Sequence, residues 1–193
     1  MQLASEEITI TISGEVFRLR PSLRAALRLV RKYETFAKIA DGIMEGRLSV
    51  ITDVIEEGSG NPDTANALNF CIGRDPLAEF LEIQRPLLRF VMALAGVDRD
   101  NRENLPDGVK PITFVEYFEN LFSIATGMMG WPVDEAWRAT PAEIIAAHKG
   151  RIDLLKMIFG SGDSDKSKAL SLDQKALLAF KSIGIRKGSS NVS

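Results

Sequence analysis

The chain has 193 residues, 45% of them hydrophobic and 26% charged, which is an ordinary globular composition with enough apolar content for a core. A net charge of −2 gives no reason to expect nucleic-acid binding. The single cysteine, Cys71, excludes an internal disulfide, fits a reducing cytosol and lies in the apolar run 68–72, where an inert buried thiol is expected. The N-terminus carries no charged-then-apolar leader, so no secretory signal is expected. The longest apolar run, 90–96, is too short to cross a bilayer, so no membrane partner is expected. Asn191-Val-Ser193 matches a glycosylation sequon only formally.

Residues 7–20 read as a β-hairpin. Ile8, Ile10 and Ile12 alternate with threonines, Ser13-Gly14 supplies the turn, and Phe17 and Leu19 continue the alternation. A lone hairpin is marginal in water, so its isoleucine face needs a cover that its Arg18/Arg20 face does not. Pro21-Ser22 then opens a helix. Leu23, Leu27, Val30 and Tyr33/Glu34 follow helical spacing, and Ala26, Leu29, Phe36 and Ala40 extend the apolar arc. Arg24, Arg28, Arg31, Lys32 and Lys38 cover the other side, a stripe read as a solvated face. Gly42 and Gly46 read as punctuation. Ser49 caps a short helix carrying Val50, Ile51, Val54 and Ile55, which stops at Gly58.

Asn61-Pro62 and Asp75-Pro76 each read as a helix cap followed by a first helical residue. The helix from Pro76 to Ala95 contains Pro86. An interior proline costs on the order of 3 kcal/mol in a straight helix, so a kink or break is expected near 83–85. Residues 97–112 are polar and proline-bearing and read as a linker. Thr113-Phe-Val-Glu116 is a capping box opening a helix through Phe118, Leu121, Phe122 and Ala125. A tryptophan corner follows, and Thr140-Pro141-Ala-Glu143 is a second capping box, opening a helix to about Phe159. Residues 160–168 have almost no apolar content and read as disordered. Ser171-Leu-Asp-Gln174 caps a last short helix with Leu172, Leu177, Leu178 and Phe180. Residues 161–193 carry +3, so the rest of the chain carries −5.

The expected fold class is mainly α with a short N-terminal β-hairpin, an α+β chain of two small helical modules and a flexible C-terminal tail. The expected units are a hairpin-plus-helix module at 1–96, a linker at 97–112, a helical module with a Trp-Pro corner at 113–159, and a flexible tail at 160–193.

No catalytic constellation emerges. His148, the one histidine, has Glu143 and Asp153 five residues away on either side, off the three-or-four spacing that shares a helix face. No Gly-x-Ser-x-Gly elbow or Gly-Lys-Ser/Thr phosphate loop is present. Gly160-Ser-Gly162 lies in a polar stretch rather than between strand and helix. Gly127-Met-Met-Gly130 has the spacing of an RNA-clamping loop without basic flanks. Glu56-Glu57 and Asp98/Asp100 read as solvated charge. The expectation is a binding protein rather than an enzyme, without cofactor or metal.

Both tryptophans fall in one corner, Gly130-Trp131-Pro132-Val-Asp-Glu-Ala-Trp137-Arg138-Ala-Thr140-Pro141-Ala-Glu143. Tryptophan is over-represented at interface hot spots, so the candidate partner-binding residues are Met128, Met129, Trp131, Pro132, Trp137 and Arg138. Trp137 reads as core and Trp131 as partner-facing. The run Trp137-Arg-Ala-Thr140-Pro141-Ala-Glu143 resembles the W-x-x-T-P-x-E signature of small phage tail assembly chaperones. Residues 8–58, with Phe17-Arg-Leu-Arg20, Tyr33-Glu34, Ile39…Gly42…Gly46 and Asp53-Val-Ile-Glu-Glu-Gly58, resemble the gene-transfer-agent tail protein family. That likeness covers roughly residues 6–96 and does not reach the tail after residue 160. Together the resemblances imply a phage or prophage tail assembly chaperone in the bacterial host cytoplasm. It would bind the tape measure protein until tail tube subunits displace it, with self-association possible in principle. The alternative they leave open is a structural tail component of a phage or gene transfer agent particle.

Overall fold

The computed structural model describes residues 8–12, 14–61, 76–95 and 112–160, with side chains from Phe80 onward in the third stretch. Strands β1 (Ile8–Ile12) and β2 (Glu15–Leu19) form an antiparallel hairpin, with Ile8 opposite Leu19 and Ile10 opposite Phe17. Gly14 supplies the positive φ, +83°, that so short a turn requires. Ile8, Ile10, Ile12 and Leu19 are buried, whereas Thr9, Thr11, Arg18 and Arg20 are exposed. A period of two therefore puts every isoleucine on the covered face. Val16 is exposed and does not belong to that face.

The cover is helical. Helices α1 (Leu23–Tyr33), α2 (Phe36–Met44), α3 (Leu48–Ser59) and α4 (Pro76–Leu94) follow the hairpin. After residues outside the description come α5 (Phe114–Ser123), a π-helical turn (Ile124–Met128), α6 (Val133–Arg138) and α7 (Pro141–Phe159). β1 lies on α4 and β2 on α3; α1 is central, touching α2, α3, α4, α5 and α6. Leu23, Ala25, Ala26, Leu27, Leu29 and Val30 of α1 are all buried, so neighbours lie on more than one side.

The chain is thus mostly helical with one short N-terminal hairpin. Apolar residues from both sides of segment 97–112 enter one cluster. Phe36, the first residue of α2, meets Phe114 and Phe118 of α5 edge-on, with ring centroids 5.0 and 5.9 Å apart. Such pairs contribute about 0.5–1.5 kcal/mol each beyond the area they bury.

Several details differ from the sequence expectation. The arc read as one helix over 23–40 is two helices, because Glu34 takes a left-handed φ of +68° and ends α1, while the Thr35 side chain accepts the Lys38 amide and starts α2. Gly42 does not punctuate. It lies inside α2, and a Cβ there would come 2.8 Å from Cγ2 of Val50, so its absence is what lets α3 approach. α3 starts at Leu48 rather than after Ser49, and it runs past Gly58 to end at the left-handed Gly60. Of the kink or break expected near 83–85, the break does not occur: α4 continues through Pro86. Cys71, the cap at Asn61-Pro62, the linker 97–111 and everything after Gly160 lie outside the described residues.

The stripe on α1 is not merely solvated. Arg28 reaches Glu57 of α3 at 3.3 Å and Arg31 reaches Glu119 of α5 at 2.9 Å. Lys32 lies 2.5 Å from Asp53 of α3, whose carboxylate also accepts the Tyr33 hydroxyl. Burial, then that hydrogen bond and the Asp53 charge, push the Tyr33 phenol well above its ordinary range. These pairs are partly exposed and fix orientation more than they add stability.

Candidate partner-binding surface

The tryptophan corner starts where α5 loosens into a π-helical turn. The Met129 amide donates to the Ile124 carbonyl at 3.0 Å, and the Trp131 amide donates to the Ala125 carbonyl at 3.0 Å. Gly130, with φ +72°, makes the bend that an L side chain would resist, and Pro132 precedes the first turn of α6. One turn later Ala136 is buried, and Ala139 and Thr140 close the corner from inside.

The second capping box forms as expected. The Glu143 amide donates to the Thr140 hydroxyl at 3.1 Å, and the Glu143 carboxylate accepts the Thr140 amide at 2.8 Å. The box at Thr113 and Glu116 forms in the same way. There the Thr113 amide and hydroxyl hold the exposed Glu116 carboxyl below its ordinary value.

A feature the sequence reading missed locks this corner in place. Arg20, leaving the hairpin, donates from Nε to the Arg138 carbonyl at 3.0 Å, and its Nη2 lies 3.5 Å from the Glu143 carboxylate. The neighbouring Leu23 amide donates to the Ala139 carbonyl at 2.8 Å. The partners are more than a hundred residues apart in sequence, so no local pattern could have shown them. Arg138 therefore acts here through its backbone, while its side chain is exposed.

The six candidate residues do not share one environment. Met128 and Pro132 are exposed, as is the adjacent Val133; Met129 and Trp131 are half-buried against the core. Trp137 is also half-buried, with its ring stacked on Phe122 at a centroid distance of 4.2 Å and an interplanar angle of 21°. Neither tryptophan is fully enclosed, so both have a packed face and a wet one. Met128, Pro132 and Val133 form the open side of the corner.

A second apolar surface was not singled out from sequence. α7 packs its N-terminal half, with Ile144 and Ile145 buried, against α5 and the π-helical turn. Beyond Ile152 every residue of α7 is exposed, including Leu154, Leu155, Met157, Ile158 and Phe159. The signal was present in Ile152-Asp-Leu-Leu-Lys-Met-Ile-Phe159, whose apolar residues are too densely placed for a single core-facing stripe.

His148 is half-buried on α7. Among the described residues, no group of three or more His, Cys, Asp or Glu side chains is placed to hold a metal ion. No described helix is long and apolar enough to cross a membrane. Comparison of the chain with family models, curated proteins and solved structures gives no match.

Proposed function

We propose that this chain is a phage or prophage tail assembly chaperone, holding a tape measure protein soluble before tail tube subunits assemble around it. The observation that carries the reading is exposed apolar surface mounted on a closed core. The tryptophan corner and the last turns of α7 present methionine, leucine, isoleucine, phenylalanine and half-open tryptophan to solvent. Contiguous apolar surface on a soluble framework marks a place where another apolar surface is received. A long helical client offers such surface as a stripe, and helix-in-groove contact is the general mode for receiving it.

The sequence resemblance at Trp137-Arg-Ala-Thr140-Pro141-Ala-Glu143 points the same way, and the fold gives that run a defined job. Thr140 and Glu143 cap α7, and Arg20 ties the cap to the end of the hairpin, so the motif fixes where α7 starts.

The test is co-expression of the chain with a tape measure protein from the same genome, scoring the client's soluble yield and pull-down. A several-fold rise in soluble client is expected. An unchanged yield refutes the chaperone reading. Recovery of the chain in stoichiometric amounts from purified particles would make it a structural tail component instead.

A further inference from the structure

We propose that the last two turns of α7 form a docking strip for an apolar helix flanked by acidic side chains, and that this is the segment of the client the chain holds. The assignment of the helix to a client rests on the chaperone reading above; the strip itself does not.

Leu154, Leu155, Met157, Ile158 and Phe159 are 51%, 38%, 79%, 62% and 78% exposed. At 100° per residue these five span an arc of about 200° on the helix. Asp153 and Lys156, 3.8 Å apart, occupy the remaining side. An arc that wide at the end of a helix is not the outer face of a core element, since such faces are polar. The inner half of α7 is seated on α5 and the π-helical turn, and its start is capped and clamped. The strip is therefore held out on a fixed base.

Charge chooses the occupant. Together the five side chains offer on the order of 600 Å², the low end of a specific interface whatever the partner. A second copy pairing strip to strip would bring like charge together, because Lys149, Arg151 and Lys156 outnumber Asp153 over residues 149–159. The local charge is +2 in a chain whose net charge is −2. Residues 161–193 carry +3 and match the strip no better. Arg151 lies in angular line with the strip at its inner end, and Lys156 lies at its edge. A helix with leucine or isoleucine on one face and glutamates along its borders satisfies both the apolar arc and the cations.

The probes are two fluorescein-labelled 21-residue helical peptides with the same leucine face, one bordered by glutamate and one by lysine. Each is titrated by anisotropy against the full chain at low salt. The glutamate peptide should bind at least tenfold more tightly, and 0.5 M NaCl should remove most of that difference. Ile158→Ser and Phe159→Ser should each weaken it at least fivefold with the melting temperature unchanged, because both residues are exposed.

Equal binding of the two peptides, or none, overturns the proposal. So does a sedimentation mass that falls from dimer to monomer in Phe159→Ser, which assigns the strip to a second copy. Peptide binding that appears only after residues 161–193 are removed assigns it to the chain itself and also overturns the proposal. The two readings fail separately. If the glutamate peptide binds but the tail client stays insoluble, the strip stands and the chaperone function falls. If the client is solubilised equally by Phe159→Ser, the function stands and the strip falls.

Discussion

Gly58 gives the sharpest test of how the hairpin is held. It lies inside α3, and its carbonyl accepts the Arg20 amide at 2.9 Å as the chain leaves β2. A Cβ added there would lie 2.8 Å from Cζ of Phe90, 3.1 Å from its Cε2 and 3.2 Å from Cβ of Leu19. Phe90 and Leu19 are both fully buried, and a Cβ moves only with its backbone, so neither can simply swing away. Overpacking of this kind costs about 1–3 kcal/mol. Alanine in a helix interior returns about 1 kcal/mol relative to glycine. Gly58→Ala should therefore lose about 1 kcal/mol net, which for a chain this size lowers the melting temperature by roughly 2–4 °C. Gly150→Ala in α7 is the control: nothing lies within 4 Å of its added Cβ, so only the helical gain remains and stability should rise. Thermal melts followed by circular dichroism read both. Phe90→Leu should cost less in the Gly58→Ala background than alone, because the shorter side chain relieves the clash. A Gly58→Ala protein as stabilised as Gly150→Ala would refute the close packing of β2, α3 and α4.

Three further outcomes follow from the caps and the corner. The Glu116 carboxyl is held below its ordinary 4.5 by Thr113, so its contribution is present above that value and lost as pH falls through the lowered one. Melting temperatures from pH 3 to 7 should therefore show wild type above Glu116→Gln near neutrality and the gap closing in acid; a gap constant with pH counts against the charged cap. Trp137→Ala removes the stack on Phe122 from a half-buried position, so it should cost about 2 kcal/mol, less than the 3–5 kcal/mol of a fully buried aromatic. Trp131→Ala should cost less stability and reduce client pull-down more, and the opposite order in melts and pull-downs would reverse their roles.

How far the sequence could be read depended on the range of the interaction responsible. The covered face of the hairpin follows from Ile8, Ile10 and Ile12 and its register from the short turn ending at Gly14, and the starts of α5 and α7 follow from two four-residue capping boxes, so each was visible locally. The break between α1 and α2 was harder. Its cap, Thr35, is a local signal, but Glu34 at positive φ is not a residue that advertises a left-handed turn. Gly42 and Gly58 look like helix stops in sequence. Only the positions of Val50, Phe90 and Leu19 reveal them as contact points where neighbours come too close for a side chain. At the corner, the bend at Gly130-Trp131-Pro132 was readable, whereas the Arg20 clamp that fixes it was not, since its partners are more than a hundred residues away in sequence. The α7 strip was passed over for a different reason. An apolar helix end is ordinarily assumed to be buried, and only the fold shows that nothing described lies against it.

The size of that strip bears on what a tail assembly chaperone would need. Covering about 600 Å² at about 25 cal/mol per Å² is worth on the order of 15 kcal/mol gross. Lost translational and rotational freedom and the ordering of long side chains take 4–15 kcal/mol or more of it back. One strip on one helix is therefore a weak, fast-exchanging contact. Such a contact suits a client that must later be released to another assembly, because no single bond has to be broken against a large barrier. Retention before release would then come from number. Many copies along one client raise the local concentration of strips, and each departing copy leaves the others bound. A single large interface would invert this: tight per copy, slow to leave, and obstructive to subunits advancing along the client. If the chaperone reading holds, enlarging the strip, for instance by Lys156→Leu, should strengthen client capture and slow hand-over in the same protein.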